Sequence, residues 1–171
     1  PQPLTDESRE DIYNALRTIE KRSRGLLGFV KSYRKLTRLP SPDFQIIPVA
    51  DLFSGIQQMM QKAMSDKNIS FTCTIDPQSL ELTADPDMIE QVLINLLNNA
   101  IDGVKECVEP KISLRGYMNE QGRPCIQVED NGTGILEEVQ SKIFIPFFST
   151  KKGGTGIGLS LGRQIMRMHR G

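Results

Sequence analysis

Residues 130–160 carry the side chains and spacings best suited to chemistry. Asp130 stands just ahead of Gly132 and Gly134, and Gly153, Gly154, Gly156 and Gly158 crowd into six residues before an apolar helical pattern. Without a Cβ, glycine can take positive φ and let the backbone come close to a ligand. A run of exposed amide N–H groups leading into a helix N-terminus makes a cradle for anions, phosphates above all. Lys151 and Lys152 directly precede the second cluster and add mobile positive charge. The implied chemistry is phosphate binding beside an acid able to accept a hydrogen bond. Two common phosphate loops do not fit. No lysine follows these glycines in the register of G-x-x-x-x-G-K-[ST], and a G-x-G-x-x-G reading from Gly154 needs glycine where Leu159 stands.

A second polar group lies upstream. Asn95, Asn99 and Asp102 recur at i, i+4 and i+7, which on a helix aligns their side chains along one edge. The helix is predicted over 85–105, with Asp85 as cap and Pro86 at its first position. Its buried stripe reads Ile89, Val92, Leu93, Leu96, Leu97, Ala100, Ile101 and Val104. Asparagine is a mediocre helix former, yet Asn95, Asn98 and Asn99 fall within five residues. The Asn99 side chain offers a neutral carbonyl oxygen, a suitable ligand for a Mg²⁺ that keeps waters and phosphate oxygens. Taken alone, the same pattern equally describes a solvated polar face.

These groups need elements to hold them. Residues 6–38 read as one long helix with a heptad seam of Ile12, Leu16, Ile19, Ser23, Leu26, Val30, Tyr33 and Thr37. Thr5 is its predicted cap, acids gather at its start, and Lys31, Arg34, Lys35 and Arg38 gather at its end before Pro40. Leu27, Phe29 and Leu36 widen the apolar surface, favouring a bundle over a bare two-helix seam. A linker over 40–48 ends in a short strand. A helix over 49–65 follows, its broad apolar face including Met59, Met60 and Met64 as core filler. Strands are expected at 69–75 and 80–84, and a hairpin at 111–118 and 124–130.

Composition narrows the class. The 171 residues carry 21 basic and 21 acidic side chains, so no global charge points to nucleic acid or a membrane surface. No apolar run is long enough to span a bilayer, and no signal peptide is evident. Cys73, Cys107 and Cys125 are odd in number and far apart, against a disulfide framework or a zinc site. The expectation is a reduced, cytoplasmic chain.

The order N-L-L-N-N-A, D-N-G-T-G, I-F-I-P-F-F, G-G-T-G-I-G-L over residues 95–159 resembles the N, first glycine, F and second glycine boxes of sensor histidine kinases. Gyrase, mismatch-repair ATPases and a heat-shock chaperone share that superfamily. The resemblance implies a two-layer α/β sandwich, a mixed sheet covered by helices in a left-handed βαβ arrangement, preceded by a long dimerisation helix. Residues 1–40 would hold the second helix of the dimerisation and phosphotransfer bundle, and 41–171 the catalytic ATP-binding domain. It assigns ATP and Mg²⁺ as ligands, Asn99 as metal ligand and Asn95 as its support. Asp130 would receive the adenine amine, with Gly132 and Gly134 admitting the base. Gly154, Thr155, Gly156 and Gly158 would face the phosphates, Lys151 would reach a terminal phosphate, and Ile135, Ile143 and Leu159 would wall the base. Phe147 and Phe148 would pack beneath the lid. A homodimer through residues 6–38 and a response-regulator receiver domain are the implied partners of the full protein, with any membrane anchor elsewhere.

Departures from the pattern refine these expectations. Relatives often carry a lysine and an aromatic where Asp102 and Gly103 stand here. The segment from Phe148 to Gly153 is short, so no long lid is expected. His169, the sole histidine, matches the position that commonly follows the domain's last helix and lacks the acidic neighbour of a phosphoacceptor. The family's first bundle helix and closing strands fall outside these residues, so the chain alone is not expected to complete autophosphorylation. Hydrolases of the superfamily place a glutamate four residues before the metal asparagine. Asn95 stands there instead, an amide unable to serve as general base, which favours a kinase over an ATP hydrolase or a dimerising scaffold without turnover.

Overall fold

The computed structural model describes residues 6–151 and 154–171, with the side chains of residues 6–8, 31, 32 and 35 also outside the description. The predicted Thr5 cap, the Lys31 and Lys35 charges, Lys152 and Gly153 therefore lie outside the described features. The chain divides into two compact units, Pro1–Leu39 and Pro40–Gly171.

The first unit is one helix, α1 (Asp6–Thr37). Its seam residues Ile12, Leu16, Ile19, Leu26, Val30 and Tyr33 are 43–64% exposed, an apolar stripe that no described residue of its own unit covers. Glu20 and Arg24 pair one turn apart, and Thr18 and Thr37 donate their hydroxyls to the carbonyls of Asn14 and Tyr33.

The second unit runs β1 (Gln45–Pro48), α2 (Val49–Ser65), β2 (Ser70–Asp76), β3 (Glu81–Ala84), α3 (Pro86–Gly103), β4 (Lys111–Met118), β5 (Pro124–Asp130), α4 (Glu137–Gln140) and α5 (Gly158–Met168). Helix and strand bounds fall within two residues of those predicted for this unit. Strands β2, β4 and β5 form a mixed three-stranded sheet, β2 parallel to β4 and β4 antiparallel to β5. Strands β1 and β3 pair in a separate antiparallel ribbon.

Register decides what the sheet presents to the helices. Phe71, Ile112 and Asp130 form one cross-strand row, Cys73, Leu114 and Val128 the next, and Ile75, Gly116 and Ile126 a third. Because strand side chains alternate faces, these rows all point to the core, where Ile112 and Leu114 are essentially sealed. Val49, Phe53 and Ile56 of α2 and Leu97 of α3 complete that core. Met60, Met64 and Met88 are buried as filler, whereas Met59 is exposed because the apolar face of α2 is wider than its contact. Burial pushes the Cys73 thiol up to about 11, the behaviour of a core thiol, and all three cysteines are unpaired. At Gly116 an added Cβ would sit 2.9 Å from Val49 Cγ1 and 3.3 Å from Leu80 Cδ2, so the start of α2 lies directly on the strand.

The start of α3 is tied from several sides. Asp85 Oδ1 accepts from the Met88 amide at 3.0 Å, the predicted cap. Its Oδ2 accepts from the Asp43 amide at 2.9 Å. The Asp85 amide in turn donates to His169 Nε2 at 3.0 Å, and His169 Nδ1 donates to the Ile165 carbonyl at 2.8 Å. Phe44 meets the imidazole edge-on. The amides of Asp43 and Met88 hold the Asp85 carboxyl below the usual carboxylate range.

Two stability predictions follow from this packing. A depressed folded pKa means that the Asp85 contribution is complete above its unfolded value and is lost as pH falls through the folded one. Asp85→Ala should lower unfolding free energy by about 1–2 kcal/mol at pH 7. Urea denaturation across pH should show its deficit shrinking below pH of about 3.9. Gly116→Ala should cost about 1–3 kcal/mol through overpacking, and the same denaturation assay should find much of that loss restored in the double variant with Val49→Ala.

Candidate functional site

Packing of Leu93, Leu97, Ala100 and Ile101 into the core turns the opposite edge of α3 outward. Asn95, Asn99 and Asp102 stand on that edge, each half-buried. Lys151, from the segment before the second glycine turn, reaches across to them. Its Nζ donates to Asn99 Oδ1 at 3.0 Å and to Asp102 Oδ2 at 2.9 Å. Lys105 pairs with the other Asp102 oxygen. Together Lys105 and Lys151 hold the Asp102 carboxyl below the ordinary carboxylate range.

The first glycine turn wraps the C-terminal end of α3. Alternation along β5 puts Asp130 on the helix-covered face, just past the point where α3 ends. Asp130 Oδ1 accepts from the Gly132 amide at 2.9 Å, and its Oδ2 has no hydrogen-bond partner among the described residues. A Cβ at Gly132 would strike the Gly103 carbonyl, and one at Gly103 would come within 3.3 Å of Asp130 Oδ1. The missing Cβ of Gly132 is therefore what lets the turn lie on the Gly103 carbonyl, and Gly103, absent from the predicted site, eases a tight approach of the acid. Thr133 donates its amide to the same Gly103 carbonyl. Gly134 takes a φ of +70° in open space, a left-handed position suited to glycine. Ile135 is 51% exposed on the loop before α4, while Ile143 and Leu159 are half-buried.

Asn131 is a second residue missed at the sequence level. Its Oδ1 accepts from the Lys111 amide and its Nδ2 donates to the Glu109 carbonyl, both at 2.8 Å. These bonds tie the turn after β5 to the entry of β4. An asparagine straight after a strand and before glycine is a turn-former, which was the available signal. Its partners, about twenty residues away, were not.

The second glycine turn is shaped by the phenylalanine segment. Phe147 donates its amide to the Gly156 carbonyl at 2.8 Å. Gly156 has a φ of +65°, and a Cβ there would meet the backbone of Phe147 and Phe148 at 2.5–2.8 Å. Gly154 would collide with Ser149 Oγ, the atom that accepts from the Lys151 amide. Thr155 is exposed. Gly158 opens α5 against Asn95, whose Oδ1 would lie 3.4 Å from an added Cβ. Arg163 of α5 lies over the Phe144 ring, and Leu161 and Ile165 bury the helix on its other side. Among the described residues no side chain caps the N-terminus of α5, and its first turn carries no acid. Its amides remain available to an anion.

These features fit a phosphorylated ligand that carries an amine donor, together with a cation. Asp130 offers an open carboxylate oxygen to an amine donor. The oxygens of Asn99 and Asp102 already share a cation, the Lys151 ammonium, and oxygen donors of this kind suit Mg²⁺.

Comparison with known proteins agrees. Residues 84–171, just over half of the chain, match the family described as histidine kinase-, DNA gyrase B- and HSP90-like ATPases. The signal transduction histidine-protein kinase AtoS of Escherichia coli is 30% identical over 169 residues, 99% of this chain and 26% of that protein. The chain spans 26–42% of the length of the first curated relatives it matches. The nucleotide-free catalytic domain of histidine kinase ThkA is 34% identical with a TM-score of 0.66, over 73% of this chain and 80% of that one. ThkA in complex with the response regulator TrrA is 27% identical with a TM-score of 0.63, over 86% of this chain and 42% of that one. A helix edge, two glycine turns and an uncapped helix end thus converge with sequence and fold on one answer: the chain belongs to the histidine kinase-, gyrase- and HSP90-like ATPase family, as the ATP-binding catalytic domain of a sensor histidine kinase.

Proposed function

We propose that this domain holds ATP with Mg²⁺ and presents the γ-phosphate to a histidine on a helix supplied by the rest of the kinase. One observation carries the reading. On a single edge of α3, the Asn99 oxygen and the Lys151 ammonium meet one turn away from Asn95 and the uncapped start of α5. Cation ligand, mobile positive charge and phosphate-binding amides thereby share one place.

Asp130 Oδ2 accepts the exocyclic amine of adenine, and Gly132 and Gly134 leave room for the ring. Ile135, Ile143 and Leu159 line the apolar side of the base. The amides around Gly154, Thr155, Gly156 and Gly158 hold phosphate oxygens, with Lys151 on the terminal one. Asn99 ligates Mg²⁺, which when bound offsets phosphate charge, and Asn95 orients the neighbouring edge. Phosphoryl transfer of this kind requires positioning and charge neutralisation more than a base. Asn95 cannot take a proton from water, so the histidine nitrogen is the favoured acceptor.

The exposed seam of α1 supports pairing of two copies through residues 6–38. The ThkA–TrrA complex supports a receiver domain as partner of the full protein. Among the described residues no helix is long and apolar enough to cross a membrane, and ATP use supports a cytoplasmic setting for this domain.

Calorimetric titration with Mg²⁺–ATP tests the reading. Heat pulses returning to baseline are expected, with affinity about tenfold or more weaker in Asp130→Ala, which loses a hydrogen bond to a charged group. Sustained power after each injection would show hydrolysis and overturn the kinase assignment.

A further inference from the structure

We propose that Asp102 is a second protein ligand to the divalent cation, alongside Asn99, and that Lys151 occupies this oxygen pair until the metal displaces it. The inference rests on the nucleotide-site reading above and deepens it.

The geometry is that of a shared cation site. One ammonium nitrogen lies 3.0 Å from the Asn99 amide oxygen and 2.9 Å from an Asp102 carboxylate oxygen. The two residues are three apart on α3, so their side chains rise from adjacent positions on one face. Lys105 binds the other Asp102 oxygen from the next turn and steadies the carboxylate whether or not Lys151 is in place. Withdrawal of Lys151 would leave a neutral and an anionic oxygen open side by side. Mg²⁺ is usually held by one or two carboxylates together with substrate phosphates. Asn99 alone supplies no charge, and Asp102 supplies it.

Exchange is physically easy. The Lys151 side chain is 43% exposed and that of Asp102 35%, and an ion pair this open to solvent contributes little stability. The lysine is tethered only through its stem. Its ammonium spends two of its three N–H donors on these oxygens, and a divalent cation seated on the same pair would repel it. Arrival of the divalent cation therefore releases Lys151 to an anionic group, so metal loading and availability of the lysine become one event. A plain lysine–aspartate pair, with Asp102 having no part in metal binding, is the competing account.

The test is the affinity of this chain for the non-hydrolysable analogue AMP-PNP, measured calorimetrically as a function of free Mg²⁺. Asp102→Asn should raise the Mg²⁺ concentration giving the half-maximal gain by about tenfold or more. Lys151→Met, which removes the competing ammonium, should lower that midpoint even though nucleotide affinity falls. Mn²⁺–AMP-PNP complexes of protein carrying carbon-13-labelled aspartate should show a carboxylate coupling by electron–nuclear double resonance, lost in Asp102→Asn. An unchanged midpoint in Asp102→Asn, with the Mg²⁺ effect abolished by Asn99→Ala, would overturn the second-ligand role and leave the nucleotide site intact. A raised midpoint in Lys151→Met would overturn the exchange. No Mg²⁺ dependence in the unaltered chain, or none lost in Asn99→Ala, would sink the nucleotide-site reading itself and this inference with it.

Discussion

The site depends on a single geometric constraint, the burial of one side of α3. Leu97 has no exposure, and Leu93, Ala100 and Ile101 are nearly as enclosed. With 3.6 residues per turn, seating those four residues against the sheet leaves Asn95, Asn99 and Asp102 only one direction in which to point. The hydrophobic effect thus aims polar groups that it does not touch. Asp85, at the start of the same helix, keeps the rotation and the axial position from drifting, since its side chain reaches both Met88 and Asp43.

Around that helix the ligand-facing parts are built from backbone brought unusually close. Gly103, Gly132 and Gly156 each stand where a Cβ would overlap or crowd a neighbouring chain segment. The first two let the turn after β5 lie on the end of α3, and the third lets the approach to α5 lie on the Phe147–Phe148 backbone. The two glycine turns are therefore shaped by different neighbours, one by the helix and one by the phenylalanine segment. The charged groups are arranged loosely by comparison. Asp130, Lys151 and Lys105 are all exposed, which keeps them reachable by a ligand and keeps the cost of exchanging partners small.

Much of this was legible in the residues, and the limits follow the range of the forces involved. Periodicity placed the helix over 49–65 and the hairpin strands because those patterns are local. The cap at Asp85 was readable because capping spans only a few residues. The four boxes, in order, pointed to the nucleotide site. Strand pairing was readable only for the hairpin of β4 and β5. Strands β2 and β4 pair in parallel across a connection containing β3 and all of α3, and nothing within either strand names the other. The reach of Lys151 to Asn99 and Asp102 spans about fifty residues, and Asn131 anchors the entry of β4 from about twenty away. Gly103 looked like a missing contact by sequence. In space it is tight clearance beside Asp130, and its carbonyl is the surface on which Gly132 rests.

The imidazole of His169 has a further consequence. Its Nδ1 must carry the proton to reach the Ile165 carbonyl, and its Nε2 lone pair is taken by the Asp85 amide. Both nitrogens are engaged, so this ring has no nucleophile to offer while α5 is docked on the start of α3. The tautomer is set by two backbone groups, one from each helix end. As the only histidine in the chain, it gives a single pair of ring nitrogen resonances. Those two signals constitute a built-in spectroscopic reporter of whether α3 and α5, and with them the two sides of the proposed site, remain joined.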